Sequence, residues 1–109
     1  MRKYTFTDDE LIRKYIIYST MRNVINRKNR GLGLKNLIEM GNEVGNEIHN
    51  MQNIIFMRKI KIIKTPSNNN EVYAYTLFKN GWRSEHTMEK SIINDEVKKL
   101  WNDLHKKKD

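Results

Sequence analysis

The chain has 109 residues, 21 Lys and Arg against 13 Asp and Glu, and a formal net charge of +8. That length fits one domain around one core, and a composition 38% apolar and 31% charged is that of a folded chain. No cysteine is present, which excludes disulfide scaffolds, thiolate metal sites and cysteine nucleophiles. Apolar runs are short, as at Ile54-Ile55-Phe56-Met57, so none spans a bilayer. Met1-Arg2-Lys3-Tyr4 leads straight into Asp8-Asp9-Glu10 without the apolar stretch of a signal peptide. A single basic, cytoplasmic domain over residues 1–109 is expected.

The first helix is announced by Thr7-Asp8-Asp9-Glu10, a capping box, with Phe6 and Leu11 placed as its hydrophobic staple. Leu11, Ile12, Tyr15, Ile16, Val24 and Ile25 recur at helical spacing, and Asn29-Arg30-Gly31-Leu32-Gly33 ends the helix. A short second helix is expected from Leu34 to Met40, broken at Gly41-Asn42. A third then runs from Glu43 to Phe56, with Val44, Ile48, Met51 and Ile55 as its apolar stripe. Gly45 in its first turn costs ~1 kcal/mol of helix propensity.

Met57–Lys64 and Glu71–Phe78 are rich in β-branched and aromatic residues, and read as a hairpin around Thr65-Pro66-Ser67-Asn68-Asn69-Asn70. Alternation puts Lys59 and Lys61 on one face of the first strand, and Arg58, Ile60 and Ile62 on the other. Lys79-Asn80-Gly81 closes the second strand, and a final helix takes much of Ser84 to His105. Its apolar positions are Met88, Ile92, Ile93, Val97, Leu100, Trp101 and Leu104.

The charge is unevenly spread. Residues 1–35 carry a net +6, residues 36–56 a net −3, residues 57–83 a net +5, and residues 84–109 balance. Such a distribution favours an anionic partner, most simply nucleic acid, whose phosphates are met by Lys and Arg. Fourteen asparagines accompany it, a bias typical of AT-rich coding, so no single Asn carries much weight.

The order of long helix, short helix, turn, helix, hairpin and closing helix resembles the winged helix-turn-helix superfamily over residues 7–83. The pieces that carry the resemblance are LKNLIEMGNEVGNEIHNMQNII at 34–55 and YAYTLFKNGW at 73–82. In the latter, Tyr75, Leu77 and Gly81 look like the strand-and-turn ending of many bacterial winged-helix regulators, with Thr76 shifted by one. The third helix departs from the pattern: Gly45 lies inside it, and it holds Glu43 and Glu47 but no Lys or Arg. The resemblance implies an α+β fold of three helices, a β-hairpin wing and a C-terminal helix, and a protein that binds double-stranded DNA.

Candidate phosphate contacts are Arg58, Lys59, Lys61 and Lys64 on the hairpin, and Arg27, Lys28, Arg30 and Lys35 around the first loop. Asn46, His49, Asn50 and Asn53 face away from the apolar stripe of the third helix, and Asn pairs well with adenine in the major groove. The same residues also read as an ordinary solvated face. The wing is therefore expected to outweigh the third helix in DNA contact.

The aromatic residues Tyr15, Tyr18, Tyr73, Tyr75, Phe78, Trp82 and Trp101 are assigned to core packing and a subunit contact. Residues 85–105 form the expected dimerisation helix, with Ile92, Val97, Leu100, Trp101 and Leu104 at the interface of a two-fold homodimer built from the first and last helices. His49, His86 and His105 lack ligand spacing, and no nucleophile–base pair or phosphate loop stands out. No metal, cofactor, small-molecule ligand or enzymatic activity is expected. The function that follows is sequence-specific binding at an A·T-rich repeated site. In the cell that means a transcription regulator, or a plasmid or phage accessory factor at a partition centromere or transfer origin. The alternative is a plasmid- or phage-encoded inhibitor or adaptor that turns the same scaffold on another protein.

Overall fold

A computed structural model describes residues 7–28, 35–66 and 69–108, of which 35, 36 and 105–108 are described by backbone alone. The chain is α+β, with three helices and one three-stranded antiparallel sheet. In order these are α1 (Asp8–Lys28), α2 (Lys35–Met57), β1 (Ile60–Thr65), β2 (Val72–Lys79), β3 (Trp82–Glu89) and α3 (Lys90–Lys108). The helices cover one face of the sheet, giving a flat body of 44 × 41 × 22 Å.

The capping box forms as expected. Thr7 N–H donates to Glu10 Oε1 at 2.9 Å, and Glu10 N–H donates back to Thr7 Oγ1 at 3.2 Å. Phe6, the other half of the expected staple, lies outside the described residues, as do Arg30 and Asn68. From this start α1 buries Leu11, Ile12, Ile16, Ile17, Met21 and Ile25. It packs against both α2 and α3, which makes it the central helix.

Two expectations about elements are corrected. The break at Gly41-Asn42 does not occur: α2 is one helix of 23 residues, so the short second and third helices of a helix-turn-helix are fused. The reason is one buried stripe, Leu37, Met40, Val44, Ile48, Met51 and Ile55, that crosses the glycines without changing phase. Two glycines cost about 2 kcal/mol of propensity, less than burying even two such side chains returns. Gly41 fits the helix without strain, since a Cβ there would meet Ile25 Cγ2 at an ordinary 3.7 Å. α2 closes at Arg58-Lys59, whose amides donate to the Ile54 and Phe56 carbonyls while Lys59 turns left-handed at φ 58°.

The second correction is a third strand where the final helix was expected to begin. Asn80 (φ 52°) and Gly81 (φ 84°) form a two-residue turn between the paired Lys79 and Trp82, so β2 and β3 make a tight hairpin. β3 then runs to Glu89, and only Lys90 starts α3, its amide donating to the Glu71 carbonyl.

Cross-strand register fixes the two faces of the sheet. Ile60, Ile62, Tyr73, Tyr75, Leu77 and Met88 point to the helices and complete the core. Among the described residues no helix lies over the opposite face, from Lys61, Ile63 and Thr65 through Ala74, Thr76 and Phe78 to Arg83, Glu85 and Thr87, although Thr76 at its centre is buried.

Candidate nucleic-acid interface

The hairpin cations expected to act together are dispersed by the fold. Arg58 and Lys59 precede β1 and belong to the α2–β1 turn, so they share no strand face with other residues. Arg58 is committed to structure: its Nη1 donates to Asp8 Oδ1 at 3.0 Å, and Lys79 Nζ holds the other oxygen, Oδ2. That carboxylate ties the start of α1 to the α2–β1 turn and the end of β2. The hydrogen bond from Lys79 is the main cause that holds Asp8 below the usual carboxylate range; burial opposes it, and the hydrogen bond from Arg58 adds to it.

Lys61 points to the open face of the sheet. Lys64 points to the helix side, near the far end of β1, with its ammonium 5.2 Å from the Tyr73 ring centroid. The Tyr73 and Tyr75 rings are 6.2 Å apart and half-buried, and Tyr75 stacks on His86 at 5.3 Å. Burial pushes both phenols up, reinforced at Tyr73 by Tyr15 and at Tyr75 by Asp9. These tyrosines are packing residues, as expected.

The second basic group does not join the first. Arg27 and Lys28 are exposed in the last turn of α1, about 30 Å along the helix from the Asp8 end. The Lys28 ammonium lies 5.5 Å from the Trp101 ring centroid. Lys35 is the first residue of α2. On α2 itself Asn46, His49 and Asn53 are exposed and Asn50 is half-exposed, as the periodicity required, and Arg58, which lines a pocket with Asn50 and Asn53, is held by Asp8. Its flank toward α1 and α3 is acidic, a cleft of about 480 Å³ lined by Lys14, Tyr18, Glu43, Glu47 and Asp103 among others. Burial raises the Tyr18 phenol there, and Glu47, Glu43 and Asp103 raise it further. Phosphate is repelled from such a cleft.

What the fold does assemble is a basic and aromatic end of the sheet. Lys61, Phe78 and Arg83 stand side by side across all three strands on the open face, with the Arg83 guanidinium 6.0 Å from the Phe78 ring centroid. Arg83 is also held by Glu85 at 3.0 Å, both exposed. Lys59 sits at the same end, and so does Trp82, which is 79% exposed. Placing Phe78 and Trp82 in the core is thus corrected: Phe78 lies half-buried on the open face, and Trp82 beside the two-residue turn is exposed. Trp82 and Arg83 were missed as site residues because the strand holding them was read as loop and helix. Asn-Gly directly after the β-rich Glu71–Phe78 segment was the available signal.

The expected dimer stripe on α3 is largely spent within the chain. Val97 and Leu104 are buried in the chain's own core, Leu100 and Trp101 pack half-buried against it, and Ile92 alone of the five is exposed. Among the described residues no cluster of metal-ligating side chains occurs, and no helix is long and apolar enough to cross a membrane. Compared with known proteins, no family model matches the sequence, and no curated protein or solved structure matches it either.

Proposed function

We propose that this chain binds double-stranded DNA with the open face and turn end of its sheet, not with a helix-turn-helix. The observation that carries the reading is the row Lys61–Phe78–Arg83 on the open face, with Lys59 and the exposed Trp82 at the same end of the sheet, Trp82 on the opposite face by register. Cations supply the salt-sensitive grip on phosphate, and the major groove admits strands as well as helices. Two strands of this sheet present alternate side chains to solvent, as such a docking requires. Of the winged-helix resemblance, the order helix, helix, hairpin is retained, and β1–β2 takes the place of the wing. Action at an A·T-rich repeated site, as a regulator or as a partition or transfer accessory factor, rests on that resemblance.

The test is duplex binding by fluorescence anisotropy across a salt series, with a single strand of the same sequence as competitor. Replacing Lys59, Lys61 and Arg83 together by Ala should lower the slope of log K against log salt by roughly 2–3, while Arg58→Ala should leave the slope unchanged. No binding to any duplex at low salt would overturn the proposal, and so would an unchanged slope in the triple variant. A protein-binding adaptor is the second reading. Its support is the exposed, uncharged outward side of α2, and absence of duplex binding together with a monomeric chain would favour it.

A further inference from the structure

Outside the sheet, the most unusual surface belongs to α2. Opposite neither the core nor the acidic cleft runs a second stripe: Ile38, Asn42, Gly45, His49, Gln52 and Phe56, at steps of four, three, four, three and four. This is the spacing of a helix-pairing seam. No residue of the stripe is charged, in a chain where 31% of residues are. Its ends are apolar and bare, with Ile38 46% exposed and Phe56 82% exposed, the latter next to Met57 at 78%.

Gly45, in the middle of the stripe, is unexplained by the chain's own packing. Among the described residues a Cβ at that position would meet nothing within 4 Å, so none of them requires a glycine there. Helix-interior glycine costs ~1 kcal/mol, a cost that closely approaching backbones commonly explain.

We propose that two copies of this chain pair through this stripe, with their α2 helices antiparallel about a two-fold axis level with residue 47. That register is built into the sequence. It sets Ile38 against Phe56 of the second copy, Asn42 against Gln52, and Gly45 against His49, and the two-fold repeats each pair. Apolar ends meet apolar ends. Amides, each both donor and acceptor, meet amides. The largest ring of the middle meets the residue with no side chain. A parallel pairing would instead set Phe56 on Phe56, His49 on His49 and Gly45 on Gly45, with no large side chain opposite a small one.

The area is adequate. With side chains of about 200 Å² each, Ile38 and Phe56 leave roughly 250 Å² of apolar surface bare on each copy. Two copies thus contribute roughly 500 Å², and the exposed Asn42, His49 and Gln52 of a contact about 27 Å long bring the total toward the ~1,200 Å² of specific interfaces. The pairing leaves the open sheet face of each copy uncovered, so it adds to the DNA-binding proposal without depending on it.

The experiment uses the full chain in sedimentation equilibrium and, because the protein has no cysteine, introduced thiols as position probes. The wild type should be dimeric at tens of micromolar. Gly45→Gln should raise the dimer dissociation constant by at least about 30-fold, the loss expected at an interface hot spot, with no fall in helix content or thermal midpoint. The double variant Ile38→Cys/Phe56→Cys should give a disulfide-linked dimer on mild oxidation, and Ile38→Cys alone should not. A monomeric wild type would overturn the proposal, leaving the stripe to a different protein. A dimer insensitive to Gly45→Gln, or cross-linking by Ile38→Cys alone, would overturn the antiparallel α2 contact. DNA binding by the Gly45→Gln monomer, measured at low salt, reports separately on the sheet surface.

Discussion

Asp8→Asn removes one charge from the point where three elements meet. In the wild type one carboxylate accepts from Arg58 at 3.0 Å and from Lys79, all three side chains being half-buried. The amide keeps an acceptor but loses the attraction to both cations. An exposed ion pair contributes 0.2–1 kcal/mol and a charge-assisted hydrogen bond somewhat more, so a partly screened two-pair site should contribute about 1–2 kcal/mol. For a chain of this size that lowers the thermal midpoint by about 4–8 °C. Because the folded state depresses the Asp8 pKa, the contribution is complete above the ordinary aspartate value. It is lost as pH falls through the lowered one. Urea melts of wild type and Asp8→Asn at one protein concentration should therefore differ fully at pH 7. The difference should shrink below about pH 4 as the carboxylate protonates, and should narrow in high salt. Equal midpoints at pH 7, or a gap that persists unchanged into strong acid, would refute the clamp. Arg58 would then return to the group of cations free to meet DNA.

Three further outcomes are expected. Thr7→Ala removes the hydroxyl that accepts from the Glu10 amide while leaving its own amide to donate to Glu10, and should cost about 1 kcal/mol in a urea melt. Gly81→Ala forces a side chain into φ +84° and should cost about 1 kcal/mol or more by the same measurement, with the β2–β3 amides losing protection in hydrogen exchange. Trp82→Ala should leave stability within about 0.5 kcal/mol, since the ring is almost fully exposed, yet weaken duplex binding and abolish any quenching of the exposed tryptophan on titration with DNA.

Legibility in the sequence followed the strength of local signals. The capping box and the outer helices were readable because side-chain chemistry close in sequence dictates them. β1 and β2 were readable because Ile, Val, Tyr and Phe crowd into short segments. β3 was not: WRSEHTME has few β-formers, being an edge strand with one open face, and Met88 falls in helical phase with Ile92. The conformation of Asn80-Gly81 held the missing information. At the site, individual cations were identified from charge alone, but their grouping depends on tertiary placement. A 21-residue α1 separates Lys28 from Lys59, and pairing through β2 brings Arg83 beside Lys61. Arg58 illustrates the limit most clearly, because its partner Asp8 lies 50 residues away in sequence.

The decisive question for the fold is whether Gly41 marks a turn or the interior of a helix, and one substitution answers it by sign. In a helix-turn-helix a glycine at this position frees the chain to leave the helix, and alanine at a left-handed or turn conformation destabilises. In a continuous helix the glycine is only an entropic cost. Here its backbone is helical, and an added Cβ would find Ile25 Cγ2 at 3.7 Å, a contact that is neither crowded nor empty. Gly41→Ala should therefore stabilise the chain by about 0.5–1 kcal/mol, raising the thermal midpoint by roughly 2–4 °C. Helical circular dichroism should hold or rise. Gly41 also lies to the core side of the outward stripe, so the gain should appear at all protein concentrations, including those at which dimers dissociate. A loss of 1 kcal/mol or more would mean that the chain turns here. The buried stripe from Leu37 to Ile55 would then have to be divided between two helices, and the asparagine-bearing second half would again be the natural element to enter a DNA groove.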